Sequence, residues 1–550
     1  MKKIYCLLFS ILTAISINAQ NELSKDQWLE DLQFLHSTIH NDYDFLFVKT
    51  TPEIFNIKVE ELRKSIPDME SHEIIVGLAK IVSLFEYGHT SISLSGWSPR
   101  KQFSFHQMPY NLKQFNDGVY IQGTKKEYER ALGAKVLKVE SIDIKEALSA
   151  VKPAFPVEND QFFKAYGMSF LGNAEILHAQ RVTPTLKTNI TLTLEKDEKI
   201  FTQIFKPIEN KRFPGAYTYI REDSMWLDAR DNSKDPLYLK NLDKIYYYEY
   251  LPEHNAVYVR QSQIQDDPTE DIPTFYNRVF KFIEENKVDK LILDVRLNGG
   301  GNNYKNKPVV TGIIKSRINV PGKFFVITSG QTFSACQNLV NELDNYTNAI
   351  FVGEPTGENI NFYGDNRQVI LPNSKIPVRL SWAWWQDKPQ WEGGPWMAPH
   401  IAVDMSFEQY VNNEDPVLQA TLDFNDDNFI LDPMGYLTNL YTSGQVDKVM
   451  TEAVRMVNDP VYKFFDFEGE FNKAGYNLLN GGEVSTAIEI FTLVTGLFPD
   501  SANAWDSLAE GYWKSGNKEK AIELYNKAIS MDPDGPTGEN AKRMLDQLKE

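Results

Sequence analysis

The sequence predicts a multidomain α/β protein. Its 550 residues exceed the roughly 100–200 expected of a single domain, and a hydrophobic content of 42% is enough for packed cores. From Ala256 onward, apolar strands alternate with amphipathic helices, which indicates a sheet covered by helices. Near the C-terminus a pattern recurs every 34 residues, which indicates helical repeats.

The N-terminal segment and the overall charge bear on compartment and partners. Residues 1–19 combine two lysines, a short apolar stretch and a small residue before Gln20, which is typical of a secretory signal. We therefore expect an exported protein, periplasmic or extracellular, with no transmembrane anchor, because no other stretch is long and apolar enough. The formal charge of −18 argues against a nucleic-acid partner.

The two cysteines exclude some kinds of site. Cys6 lies in the predicted signal, so Cys336 is alone in the exported chain, and neither an internal disulfide nor a thiolate metal site is expected. We interpret Cys336 as a small buried residue on a helix. No cofactor and no metal are predicted.

Two predicted units precede the α/β region. In residues 20–100, Trp28, Leu32 and Ile39 recur at helical spacing, so this part is predicted to be a helical unit. Residues 101–250 change to short strands and turns, which predicts a small β-rich module.

The α/β pattern occupies residues 251–425 and the repeats occupy residues 426–550. KLILDVRL (290–297) is apolar enough to be a strand buried on both faces. The repeat is carried by Ala487, Ile488, Phe491, Pro499 and Asp500, which recur as Ala521, Ile522, Tyr525, Pro533 and Asp534. This period resembles tetratricopeptide helical hairpins. Such hairpins either pack on the rest of the protein or bind a protein partner, and the sequence leaves both open.

Ser334 is the candidate nucleophile. It follows the apolar strand FFVIT (324–328) and precedes a helical pattern that begins with Leu339 and Val340. The first N–H groups of a helix have no intrahelical partner and can stabilise an oxyanion. The alternative is an ordinary serine that caps the helix.

His89 is the candidate base among eight histidines. It follows Gly88 and precedes a predicted strand, so that a glycine turn directs the imidazole into a cleft. Six others lie in helical stretches or in surroundings without a motif, and we interpret them as structural or surface residues: His36, His40, His72, His106, His178 and His254.

Asn298 is followed by Gly299, Gly300 and Gly301, directly after the buried strand. Glycines let backbone N–H groups approach a ligand closely. A nucleotide site is disfavoured, because neither GxGxxG nor a glycine loop ending in Gly-Lys-Ser/Thr is present. Asp294 and Arg296, just before the loop, are interpreted as an ion pair.

Taken in order, several segments resemble the C-terminal processing peptidases, also called tail-specific proteases. The segments are GHT (88–90), LDVRLNGGG (293–301), TSGQTFSACQN (328–338), VGEPTGENINFYGD (352–365) and APHIAVD (398–404). The resemblance runs from about Leu23 to Phe424. It implies a serine peptidase with a crotonase-like α/β core, a peptide or protein substrate, and a PDZ-like identity for the β-rich module.

The same family has two catalytic variants. The Ser–Lys form has a lysine about 25 residues after the nucleophile, where this chain has Glu358 and Asn359. The tricorn-core-like form uses a histidine from the N-terminal unit and a downstream glutamate, which His89 and Glu392 match. Glu392 would orient the histidine or stabilise its cation. Tricorn-like members place a serine before the histidine, and here that residue is Gly88.

The resemblance implies a mechanism. Ser334 attacks a peptide carbonyl while His89 takes the hydroxyl proton and returns it to the leaving amine. The oxyanion is expected between the amide of Ala335 and an amide of Gly299 or Gly300.

Two other functions stay open. Five of the ten tryptophans lie between Trp382 and Trp396, which suits either packing or a cleft wall. A catalytically silent protein that binds peptides or hydrophobic ligands is therefore one alternative, since the interphotoreceptor retinoid-binding proteins use this scaffold in that way. The other alternative is an interaction scaffold that acts through its repeats.

Overall fold

The computed structural model describes residues 23–94, 105–208, 213–425 and 429–549, so the predicted signal of residues 1–19 lies outside it. The chain divides into two compact units, one reaching Met397 and including Val403–Leu422, the other combining Ala398–Ala402 with the chain from Asp423. The predicted fold class, a multidomain mixture of helices and sheets with C-terminal helical hairpins, is confirmed. None of the helices in the described ranges has the length and apolar character needed to cross a bilayer.

Three amphipathic helices open the first unit. They are α1 (Lys25–Asp42), α2 (Pro52–Ser65) and α3 (Ser71–Ser83). Helix α1 begins at a capping box in which the Ser24 side chain accepts from the Gln27 amide. Its buried face carries the residues that the spacing predicted. The chain then turns at Gly88 and continues as β1 (Ser91–Ile92).

A twisted antiparallel sheet follows, in the order β10-β3-β4-β6-β7 with β2 on β3 and β5 on β4. Its strands are β2 (Tyr110–Phe115), β3 (Gly118–Lys125), β4 (Lys135–Val139), β5 (Ile142–Asp143), β6 (Ile190–Lys196), β7 (Lys199–Phe205) and β10 (Trp226–Asp228). The connection from β5 to β6 holds three helices, α4 (Ile144–Val151), α5 (Asp160–Tyr166) and α6 (Ala174–Ala179). A separate two-stranded ribbon pairs β8 (Gly215–Ala216) with β9 (Tyr219–Ile220). The sheet and the N-terminal helices share one hydrophobic core.

The α/β core contains five consecutive strands paired in sequence order. They are β11 (Tyr246–Leu251), β12 (Ala256–Gln261), β13 (Lys290–Asp294), β14 (Phe324–Thr328) and β15 (Ile350–Gly353). The first pair is antiparallel and the others are parallel. The intervening helices are α7 (Ile272–Asn286), α8 (Lys307–Lys315) and α9 (Ala335–Tyr346). Because β13 and β14 are parallel neighbours, the loops that follow them meet at one edge of the sheet.

A small sheet joins the front of the chain to the core. The hairpin of β16 (Phe362–Ile370) and β17 (Pro377–Trp385) pairs with β1, in the order β1-β17-β16. The Thr90 hydroxyl donates to Ser381 Oγ at 2.8 Å and accepts from the Ser381 amide. This pairing fixes the turn that carries His89. Two short helices, α10 (Phe407–Val411) and α11 (Pro416–Leu422), close the unit.

The second unit is helical apart from the two-residue strand β18 (Ile401–Ala402). Its helices are α12 (Pro433–Thr442), α13 (Val446–Asn458), α14 (Phe467–Asn480), α15 (Val484–Leu497), α16 (Ala502–Lys514), α17 (Lys518–Met531) and α18 (Pro536–Lys549). The repeated residues Ala487, Phe491, Ala521 and Tyr525 are fully buried in its core. The 34-residue period thus arises from stacked helical hairpins that share a hydrophobic interior.

Candidate active site

Ser334 lies at a strained turn between β14 and α9. Its backbone has φ 58° and ψ −129°, a conformation that favours glycine. Although Ser334 is the residue before α9, its side chain makes no capping hydrogen bond. The alternative of an ordinary helix cap is therefore not supported, and Ser334 as a whole is half-buried.

The glycine loop after β13 packs directly against this turn. A Cβ on Gly300 would lie 2.6 Å from Ser334 Cβ and 2.9 Å from the Ala335 amide nitrogen, so only glycine fits, and φ there is +99°. The backbone of Asn298 accepts from the Phe333 amide at 3.1 Å, which holds the two loops together. The glycine loop and the Ser334 turn are therefore packed against each other.

The amides predicted to stabilise an oxyanion differ in their existing hydrogen bonds. The Ala335 amide is at the first position of α9, where no intrahelical partner exists. The Gly300 amide already donates to Asn298 Oδ1 at 3.0 Å. Of the two predicted glycines, Gly299 is therefore the better second donor, and the nearest atom to its Cβ position is Tyr166 Oη at 3.9 Å.

His89 is next to the Ser334 turn, although 245 positions separate the two residues in the sequence. Its ring stacks on Phe333, the neighbour of Ser334, with centroids 4.9 Å apart. His89 Nε2 lies 3.5 Å from Glu358 Oε2, and that same oxygen accepts from the Ser334 amide at 2.8 Å. The imidazole and the serine turn thus contact one carboxylate oxygen.

Burial lowers the pKa of His89, while the negative charges of Glu158 and Asp365 act in the opposite direction. A lowered pKa keeps the imidazole neutral at neutral pH. The neutral form is the one that can accept a proton from a hydroxyl.

Two buried glutamates support these turns. Glu358 is fully buried, and Glu158 accepts from the Gly88 amide at 2.6 Å. Burial raises the pKa of both carboxyl groups, and their contact with each other raises that of Glu158 further. Lys49 Nζ lies 3.9 Å from Glu158 Oε1 and is the nearby positive charge.

Sequence reasoning did not find these glutamates as site residues. In the sequence, Glu358 was notable only because it occupies the place where the Ser–Lys form has a lysine. That position was the one feature of the sequence that pointed to it. Glu158 belongs to no motif. Its role depends on an interaction with Glu358, 200 positions away, which no local pattern reveals.

Glu392 makes no hydrogen bond or ion pair with the imidazole among the residues that the structure describes. It follows a short 3-10 helix, is exposed, and lines a cavity of about 1020 Å³ together with Glu158, Trp384 and Trp396. Within the described ranges, no hydrogen bond or ion pair joins Glu392 to a site residue. The geometry does not support the predicted role of Glu392 as the group that orients His89, and Glu358 is the glutamate in contact with the imidazole.

Other predicted features are placed as follows. Arg296 and Asp294 form a buried ion pair at 2.9 Å, as interpreted from the sequence. Cys336 is buried, and burial raises the pKa of its thiol well above the usual value, which disfavours the reactive thiolate. No group of three or more metal-ligating side chains occurs among the residues that the structure describes.

Comparisons with known proteins give one family match and several structural similarities. Residues 502–534 match the tetratricopeptide repeat family. No curated protein matches the chain. Mature CPAF is similar in structure, at 12% identity and a TM-score of 0.46, over 74% of this chain and 99% of that one.

Two further solved structures are similar. The photosystem II D1 C-terminal processing protease has 12% identity and a TM-score of 0.31, over 69% of this chain and 93% of that one. A putative peptidase from Parabacteroides merdae has 13% identity and a TM-score of 0.36, over 74% and 100%. These proteins include the kind of protease that the sequence motifs resemble. At such identities they are similarities of structure, so function is argued from the side chains of the site.

Proposed function

We propose that the chain is a serine peptidase in which Ser334 is the nucleophile and His89 is the general base. One observation carries this proposal. A strained serine between a core strand and a helix lies next to a half-buried imidazole that stacks on its neighbour Phe333, and the first amide of the helix and a glycine loop are beside it. This combination supplies a nucleophile, a base and oxyanion donors, which acyl transfer requires.

The proposed reaction proceeds through an acyl-enzyme. Ser334 Oγ forms a bond to the peptide carbonyl carbon while its proton moves to His89. The oxyanion accepts from the amides of Ala335 and Gly299, and each such donor typically contributes ~2.7–4 kcal/mol. His89 then protonates the leaving amine, and a water molecule, activated in the same way, hydrolyses the acyl-enzyme.

A small closing movement completes the proposed site. The imidazole contacts Glu358 in the present arrangement, and the hydroxyl of Ser334 makes no hydrogen bond within the described ranges. Catalytic hydrogen bonds are often loose without substrate and tighten when it binds. Substrate is therefore expected to bring His89 onto Ser334 Oγ.

The cavity beside the site is the proposed substrate cleft. Its wall combines aromatic rings with carboxylates and lysines, and it includes Tyr87, Glu158, Trp384 and Trp396. Its size suits several residues of an extended peptide. The same aromatic lining favours the second candidate function, a silent carrier of hydrophobic ligands on this scaffold.

Hydrolysis by matched variants tests the proposal. We expect the protein to cleave a denatured substrate such as casein, and Ser334→Ala to lose turnover while circular dichroism and unfolding remain close to wild type. Turnover retained in Ser334→Ala would reject Ser334 as nucleophile. Absence of turnover in the wild type, together with tight binding of a fatty acid or retinoid, would favour the carrier.

Export and partner binding complete the proposal. The segment of residues 1–19 supports secretion, and N-terminal sequencing of the exported protein is expected to begin at Gln20. A start at Met1 would contradict it. The tetratricopeptide match supports a protein partner for the repeats. A pull-down would compare the amount of partner captured by the wild type with the amount captured by a variant altered in the core of the repeats.

A further inference from the structure

Glu158 and Glu358 form a pair that links two separate turns of the site. Glu158 Oε2 accepts from the Gly88 amide at 2.6 Å, directly before His89. Glu358 Oε2 accepts from the Ser334 amide at 2.8 Å. The two carboxyl groups also interact directly with each other. One continuous set of contacts therefore runs from the histidine turn to the serine turn.

The charges around the pair do not balance two carboxylates. Lys49 is the nearby cation, at 3.9 Å from Glu158 Oε1, and it also donates to the backbone carbonyls of Glu86 and Glu158. His89 faces Glu358 at 3.5 Å and is kept neutral by burial. The phenol of Tyr87 lies beside Glu158, and Asp365 adds a further negative charge near His89.

One proton resolves this imbalance. Two carboxylates in contact cannot both be charged in a buried site without strong repulsion. A single shared proton lets one carboxyl group donate to the other, while each group keeps an oxygen for its backbone amide. Glu158 Oε1 and Glu358 Oε1 are both buried and make no hydrogen bond within the described residues, so each carboxyl group has an oxygen left for the shared proton.

We propose that Glu158 and Glu358 act as a carboxyl clamp, a proton-sharing pair of positioning residues that holds the His89 turn against the Ser334 turn. The clamp rests on the proposed function, because its purpose is to align those two residues. In this role neither glutamate bonds to the reacting atoms, although Glu158 also lines the proposed substrate cleft.

If the clamp operates, the His89 turn and the Ser334 turn should lose their alignment at alkaline pH. The pKa of both carboxyl groups is raised from the ordinary value of 4.5, so the pair keeps its proton above the pH at which free glutamate ionises. When pH rises through the raised pKa, two adjacent buried carboxylates repel and the turns separate. Reaction at Ser334 should then fall about tenfold per pH unit, as expected for loss of one proton.

The test measures the rate at which a fluorophosphonate probe labels Ser334 as a function of pH. Wild type should show an alkaline decline. Glu358→Gln should abolish that decline, because the amide donates to Glu158 and accepts from the Ser334 amide without titrating. At pH values below that decline, Glu358→Ala should label at least about tenfold more slowly than wild type, because the clamp is absent.

Glu175→Gln is the matched control. Glu175 is a buried glutamate that contacts His106 in the same unit but outside the site. Its variant should keep the wild-type pH profile. An alkaline decline in Glu358→Gln that parallels wild type would overturn the clamp.

A second readout separates failure of the clamp from failure of the proposed function. If wild type is not labelled at any pH, the serine peptidase proposal fails, and the clamp is then judged from the free energy of unfolding. A raised folded-state pKa makes stability fall as pH rises from the unfolded value through the folded value. Wild type should therefore lose stability with pH more steeply than Glu358→Gln, and equal slopes would reject the clamp.

Discussion

Backbone strain at Ser334 is the main residue-scale feature of the site. A side chain at φ 58° and ψ −129° costs on the order of 1–3 kcal/mol, and it persists only where the surroundings enforce it. Here the enforcing contacts are the Glu358 carboxylate on the Ser334 amide and the packing of Gly300.

Replacing Ser334 with glycine should relieve this strain. We expect Ser334→Gly to unfold with a free energy roughly 1 kcal/mol higher than Ser334→Ala, because alanine keeps the strained backbone and glycine does not. Urea denaturation of the two variants measures the difference. Both lack the hydroxyl and should lack turnover, so a glycine variant less stable than the alanine variant would contradict the strain.

The pKa of His89 sets the acid side of the pH profile. Because burial lowers this pKa from 6.5, the imidazole stays neutral to lower pH than a free histidine does. We expect the acid limb of kcat/KM to lie below pH 6.5, with activity lost as pH falls through the lowered pKa. A midpoint above that value, measured with a substrate that has no titrating group, would contradict the assigned environment.

Sequence reasoning performed unevenly at the residue scale. Ser334 and His89 could be proposed from the sequence, because a junction of strand and helix and a glycine turn are local patterns. Glu158 and Glu358 were not identifiable as a pair, because burial and mutual contact depend on tertiary structure. Glu392 was assigned from its position within a family pattern, and in this chain it is exposed and lines the cavity.

At the scale of elements, the parallel pairing of β13 with β14 creates the site. The loop after β13 supplies the glycines and the turn after β14 supplies Ser334, and the parallel register places both at one edge. The short pairing of β1 with β17 adds the histidine. Active sites at the carboxyl ends of parallel strands follow from this geometry.

Gly300 should not tolerate a side chain. In Gly300→Ala the new Cβ would meet Ser334 Cβ at 2.6 Å and the Phe333 carbonyl oxygen at 2.8 Å, at φ +99°. We expect a loss of about 2 kcal/mol or more in the free energy of unfolding, with loss of turnover. Chemical denaturation and a hydrolysis assay measure both effects.

Gly299→Ala is the matched control for that substitution. Its Cβ would meet Tyr166 Oη only at 3.9 Å, an ordinary contact. The expected cost in stability is below about 1 kcal/mol. Equal destabilisation by the two substitutions would contradict the packing of the glycine loop on the serine turn.

Elements of the α/β core were predictable because their periodicity is strong. The strands at 290–294 and 324–328 and the helix after Ser334 are apolar patterns with clear boundaries. Pairing between β1 and β17 was not predictable, because it joins two short segments almost 290 residues apart. The helices α5 and α6 inside the β-rich region were also missed, since their apolar residues pack against the N-terminal helices.

At the scale of the whole molecule, the chain combines a unit that carries the candidate site with a unit of helical hairpins. The hairpins were predictable from a repeat at a fixed period, which needs no knowledge of tertiary contacts. By contrast, the N-terminal helices and the β-rich sheet form one core rather than two. The sequence suggests two separate units, because the change from helical to strand patterns can be seen locally. The packing of the helices on the sheet depends on tertiary contacts, which a local pattern does not reveal.

The central claim is that Ser334 is a nucleophile activated by His89, and its most direct test is covalent labelling of the full chain. After reaction with a fluorophosphonate probe, peptide mass spectrometry should find one adduct, on Ser334, and none in Ser334→Ala. His89→Ala should slow labelling by about 10²-fold or more, in line with the contribution of a general base. An unmodified Ser334 in folded protein, or a labelling rate unchanged in His89→Ala, would contradict the account.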